Sequence, residues 1–120
     1  MRARLVVTLV AVAALVAGCG GAGRSDEALS TPPVKGATEI GMKGLRFNPP
    51  VIEITPGTTV TWKFDDGSIP HNVKAADGAF TSPTTEKGTF THTFGTAGTF
   101  DYKCDLHPGM SGRIIVRDNG

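Results

Sequence analysis

Three features of this chain predict an all-β fold, a Greek-key antiparallel β-sandwich. Beyond residue 37 the large apolar residues recur at every second position, the period of a half-buried strand, and no helical stripe stands out. Turn-forming pairs punctuate the apolar stretches at close intervals. Glycine (16) and proline (8) are abundant in a chain of 120 residues, a composition suited to turns and short strands.

The elements follow in order. Residues 1–18 read as a processing signal, outside the fold. Arg2 and Arg4 supply a positive start, and the apolar run 5–17, interrupted by Thr8, is too short for the roughly 20 residues of a comfortable bilayer span. Val16-Ala17-Gly18-Cys19 closes the run and resembles a bacterial lipobox. That resemblance implies cleavage before Cys19 and a lipid on its sulfur. It places the protein outside the cytoplasm, anchored on the periplasmic face of the cell envelope. Residues 19–36, rich in Gly, Ala, Ser, Thr and Pro, read as the lipidated cysteine and a flexible tether spanning roughly 20–25 Å. Residues 37–120 are expected to form the single domain.

Within that domain, Ile52 and Ile54 alternate with Glu53 and Thr55, and Val60, Trp62 and Phe64 with Thr61 and Lys63. Phe90, His92 and Phe94 alternate with threonines, Phe100 and Tyr102 with Asp101 and Lys103, and Ile114 and Val116 with Ile115 and Arg117. Each is read as a strand with one face on a core and one in water. A short strand is expected at 72–74. Turn signals lie at 55–57, 65–67, 77–78, 86–88 and 97–98. A single helical turn is expected near 82–85.

The chemistry concentrates in Cys104-Asp105-Leu106-His107-Pro108-Gly109-Met110. A thiolate, an imidazole and a thioether stand within seven residues, and soft sulfur with imidazole suits copper. Two histidines, a cysteine and a weak axial methionine make the blue-copper set, and His71 in Pro70-His71-Asn72 is the candidate second histidine. On the strand reading all four lie in loops at strand ends. His92 shares a strand face with Phe90 and Phe94 and reads as structural. A lipid on Cys19 leaves Cys104 without a disulfide partner, and a metal would protect that thiol from oxidation.

Residues 47–116 resemble the cupredoxins, small blue-copper proteins of the plastocyanin/amicyanin type. The matching stretches are Phe47-Asn48-Pro49, Pro56-Gly57-Thr58-Thr59-Val60-Thr61-Trp62, Pro70-His71-Asn72-Val73, Phe100-Asp101-Tyr102-Lys103-Cys104 and His107-Pro108-Gly109-Met110. The resemblance implies one type 1 copper ion, with His71, Cys104 and His107 as trigonal ligands and Met110 as the axial one. It implies single-electron transfer through Cu(II)/Cu(I) and a redox protein as donor or acceptor. By position Asn72 braces the cysteine loop. Asp105 stands where the family often has Ser or Thr, and a charged carboxylate there would lower the potential. Phe64-Asp65 also departs from the family, where Asn often precedes the Asp. The apolar loop around His107 would offer an imidazole edge to a partner. Met42, Leu45 and Pro70 read either as core or as extensions of that surface.

Other function classes fit less well. Charge is nearly balanced, +1 for the whole chain, with no basic cluster to track phosphates, so no nucleic-acid partner is expected. A Cys104–His107 nucleophile and base would need a substrate pocket that nothing in the sequence supplies. Copper oxidases of this fold need His-x-His pairs, and the chain has three histidines in all. The protein is therefore expected to be a monomeric electron carrier, not an enzyme. Extracytoplasmic copper scavenging or delivery is the alternative use of the same ligands.

Overall fold

In the computed structural model, which describes residues 28–118, nine strands form among the described residues. They are β1 (Val34–Lys35), β2 (Glu39–Lys43), β3 (Arg46–Asn48), β4 (Val51–Ile54), β5 (Thr58–Asp65), β6 (Lys74–Ala75), β7 (Lys87–Phe94), β8 (Gly98–Lys103) and β9 (Ser111–Val116). Two sheets result, with strand orders β1-β4-β9-β8-β6 and β3-β2-β5-β7. The all-β sandwich is as the sequence predicts, but its sheets are mixed, not antiparallel throughout. β1 with β4, β4 with β9, and β2 with β5 are parallel pairs. The chain crosses between sheets at most connections, so strands that become neighbours are seldom consecutive. Only a hairpin connection forces an antiparallel pair, and those occur at β2–β3 and β8–β9.

Alternation along β5 turns Val60, Trp62 and Phe64 inward, all buried, while Thr59 and Lys63 stay exposed. Trp62 is the hub of the core, with ring centroids 5.3 Å from Tyr102, 5.7 Å from Phe80 and 5.8 Å from Phe90. Each such side chain contributes about 1.5–3 kcal/mol by leaving water. Tyr102 lies directly opposite Gly112 across the β8–β9 ladder. A Cβ at Gly112 would sit 2.2 Å from the Tyr102 ring, so glycine is required for the ring to lie over that backbone.

Three local expectations change. β1 falls inside the stretch read as tether, because Val34 and Lys35 pair with Ile52 and Glu53. The β2–β3 hairpin is legible only as two alternating apolar residues, Ile40 and Met42. Its two-residue turn places both Gly44 (φ 61°) and Leu45 (φ 59°) in the left-handed region, where leucine is an unusual occupant. Residues 82–85 form no helical turn. The Ser82 N–H donates to the Val73 carbonyl and the Thr85 N–H to the His71 carbonyl, so this backbone bonds sideways to its neighbour. The signal segment and Cys19 lie outside the described residues.

Candidate metal centre

His71 and Cys104 are delivered to one end of the sandwich by different sheets. β5 ends at Asp65, and the following segment runs to His71, whose backbone exchanges two hydrogen bonds of 3.0 Å with Thr85. Cys104 stands one residue beyond β8. Its N–H donates to the Met110 carbonyl at 3.0 Å, and the Met110 N–H donates to the His107 carbonyl at 3.2 Å. The loop between β8 and β9 thus closes on itself.

The side chains converge. One nitrogen each from His71 and His107 and the Cys104 sulfur lie within 4.8 Å of one another. His71 Nδ1 is 3.8 Å from Cys104 Sγ, and the two imidazoles meet edge-on with centroids 4.9 Å apart. Nitrogen and sulfur atoms bound at about 2.0–2.3 Å to one first-row metal ion sit at about that separation, so the donor set fits a metal. His71 is fully buried, Cys104 is 3 % exposed and Met110 3 %. Cys104 is a free thiol in this structure.

Each histidine has its other nitrogen engaged. His71 Nε2 lies 2.8 Å from Asp66 Oδ2, so the carboxylate fixes Nε2 as the protonated nitrogen and frees the Nδ1 lone pair. His107 Nε2 donates to the Pro70 carbonyl at 3.0 Å, leaving its Nδ1. Asn72 joins the two loops. It accepts the Asp105 N–H at 2.7 Å and donates Nδ2 to the Asp105 carboxylate at 3.1 Å.

Asp66 was not singled out by the sequence, where it reads as part of a turn. Its Oδ1 accepts the Gly44 N–H and its Oδ2 the Leu45 N–H, both at 3.0 Å. One carboxylate thus holds the β2–β3 turn and the His71 ring together. The Leu45 N–H first, and His71 next, hold its carboxyl below the usual carboxylate range. The signal that finds Asp66 is the rule that a metal-ligating histidine hands its second N–H to a carboxylate or carbonyl. Asp65 and Asp66 are the carboxylates just upstream.

Asp105 has a different setting from the bare carboxylate the sequence suggests. Its side chain is 38 % exposed and lies 3.7 Å from Lys74 Nζ and 3.8 Å from Lys103 Nζ. Those lysines face each other across β6 and β8, so the carboxylate offsets a like-charge pair. Of the apolar residues near the loops, Met42 is core, whereas Leu45, Ile69 and Leu106 are exposed. His92 stacks on Phe80 at 4.5 Å and is absent from the metal cluster.

Comparison with known proteins agrees with this geometry. Residues 34–117 match the profile of the copper binding proteins of the plastocyanin/azurin family. The chain is a cupredoxin. It is 31 % identical to amicyanin-alpha of Methylorubrum extorquens, over 94 % of this chain and 98 % of that protein. It is 38 % identical to halocyanin of Natronomonas pharaonis, over 66 % of this chain and 53 % of that protein. A purple cupredoxin from Nitrosopumilus maritimus superposes with a TM-score of 0.62 at 32 % identity, over 68 % of this chain and all of that one. As a cupredoxin the chain binds one copper ion and serves as a blue copper electron carrier, not an enzyme.

Proposed function

We propose that this cupredoxin carries single electrons outside the cytoplasm while anchored to a membrane by a lipid on Cys19, with His71, Cys104 and His107 as trigonal copper ligands and Met110 as the axial one. The observation that carries the ligand assignment is the approach of His71 Nδ1 to Cys104 Sγ, 3.8 Å, with the far side of the ring locked by Asp66. Bound copper would supply a one-electron Cu(II)/Cu(I) couple, with thiolate and thioether favouring Cu(I) and imidazole serving both states. The residues supply rigidity. Asn72 ties the cysteine loop to the His71 loop, and the Cys104–Met110 backbone bond fixes the loop's width. Little then needs to move when an electron arrives.

Burial favours the carrier over copper delivery. Release to an acceptor requires the acceptor's ligands to reach the ion, and His71 is 0 % and Cys104 3 % exposed. The half-exposed His107, beside exposed Leu106 and Ile69, suits electron passage to a redox partner without loss of the ion.

Adding Cu(II) to the purified protein tests the site. The expected result is an intense blue thiolate-to-copper absorption, absent in Cys104→Ser and altered in Met110→Leu. A pale product would overturn the type 1 assignment. Ready transfer of copper to a chelating acceptor would favour delivery. For the anchor, the mature N-terminus should carry a lipid mass that disappears in Cys19→Ser.

A further inference from the structure

The position at which the chain enters the domain bears on which way the copper end faces. β9 starts at Ser111, directly after the ligand loop, and runs away from the metal centre. β4 is parallel to β9, with Val51 beside Arg113, and β1 is parallel to β4, with Val34 beside Ile52. β1 therefore also runs away from the metal end, and the residues before Val34 come from that end. The side chains agree. Ala28 and Thr31 line one groove, of about 880 Å³, together with Leu45, His107 and Pro108.

We propose that the lipid on Cys19 turns the copper end of the domain toward its own membrane, so that the electron port is met by a redox protein held in that membrane, not by a soluble carrier. The inference rests on the lipid-anchor reading above. Its geometry is simple. Ala28 lies at the port, and the nine Cα-to-Cα steps from Cys19 to it span at most about 32 Å however they are arranged. A folded unit of about 85 residues is about 30 Å across, and the path around it from one pole to the other is about 45–50 Å. The link is too short for the port to point straight away from the bilayer.

Charge at the port adds the partner's chemistry. Lys43 and Arg46 stand directly opposite each other on the β2–β3 hairpin, a destabilising like-charge pair. Neither has a carboxylate partner among the described residues. Between them the turn presents Leu45, 45 % exposed and at φ 59°. An apolar tip flanked by two cations fits a membrane-held protein with an acidic rim around an apolar contact.

The test uses the full lipidated, copper-loaded protein, reduced so that the ion is diamagnetic. It is bound to phosphatidylcholine vesicles whose headgroups carry a nitroxide. Amide signals of 43–46 and 107–111 should be lost, while those of 95–98, at the far end of β7 and β8, should persist. Insertion of about twenty Gly/Ser residues between Cys19 and Ala28 should level the gradient. Oxidation of the vesicle-bound protein by soluble cytochrome c should be several-fold slower than that of full-length Cys19→Ser, with ferricyanide oxidising both alike. Uniform broadening, a reversed gradient, a gradient that survives the longer link, or equal cytochrome c rates would overturn the proposal. Failure of the wild-type protein to float with vesicles would instead overturn the lipid anchor itself, and the proposal with it.

Discussion

Asp66→Asn separates a metal-centre role from a purely structural one. The carboxylate accepts three hydrogen bonds, from Gly44 and Leu45 at 3.0 Å and from His71 at 2.8 Å, with two of them on one oxygen. Asparagine has the same shape but a single acceptor atom. If its oxygen faces Gly44, its NH2 opposes two N–H donors. If the amide is turned, Gly44 loses its partner. At least one bond to a charged acceptor is lost, about 1.5–3 kcal/mol. A domain of this size melts about 4–8 °C lower per kcal/mol, so the copper-free variant should melt roughly 10 °C lower. Loss of an outer-shell partner of a ligating histidine costs about 10–100-fold in metal affinity, equivalent to about 1.4–2.7 kcal/mol. Calorimetry of the copper-free protein and Cu(II) competition against a chelator measure the two effects, with Asp65→Asn as the control. pH gives a third readout. The Asp66 carboxyl is held below its ordinary value of 3.8, so its stabilisation is present above that value and is lost as pH falls through the folded value. The acid limb of unfolding should be shallower in Asp66→Asn. A variant that melts lower yet binds copper with unchanged affinity would refute the link from Asp66 to the metal centre.

Gly112→Ala should destabilise the domain by about 1–3 kcal/mol, read as a lower melting temperature, because its Cβ would lie 2.2 Å from a Tyr102 ring confined by Trp62 and Phe47. Burial pushes the Tyr102 hydroxyl well above its ordinary value of 10.0, with the Trp62 N–H pulling weakly the other way without reaching hydrogen-bond geometry. Above pH 10 the unfolded chain then binds fewer protons than the folded one, and stability falls by about 1.4 kcal/mol per pH unit. Denaturant titrations should show that alkaline slope in the wild type and less of it in Tyr102→Phe. Asp105→Asn should raise the reduction potential by less than about 60 mV, a tenfold change in the Cu(II)/Cu(I) balance, since Lys74 and Lys103 already offset the carboxylate. Protein-film voltammetry measures it, and a larger rise would mean that the two lysines do not screen it.

Most of the candidate site was legible because its parts are local. Cys104, His107 and Met110 belong to one loop of seven residues, and donor chemistry needs only residue types and spacing. His71 was found by its flanking residues and by the shortage of histidines. Strands such as β5 and β9 were legible because period-two alternation is set by the backbone itself. The β2–β3 hairpin was not, because a leucine occupies a left-handed turn position that sequence patterns assign to glycine or asparagine. Asp66 explains the exception, since its carboxylate holds that turn from twenty-one residues away.

The sequence by itself determined the all-β class and the candidate donor residues, three of them in one loop. Alternation and short spacing are properties of a few consecutive residues. The tertiary structure decided which strands run parallel, that Asp66 orients His71, that two lysines surround Asp105, and that the chain enters beside the port. Each of these is a meeting of segments far apart in sequence, and no local pattern encodes where a chain that crosses repeatedly between two sheets will bring its distant parts together.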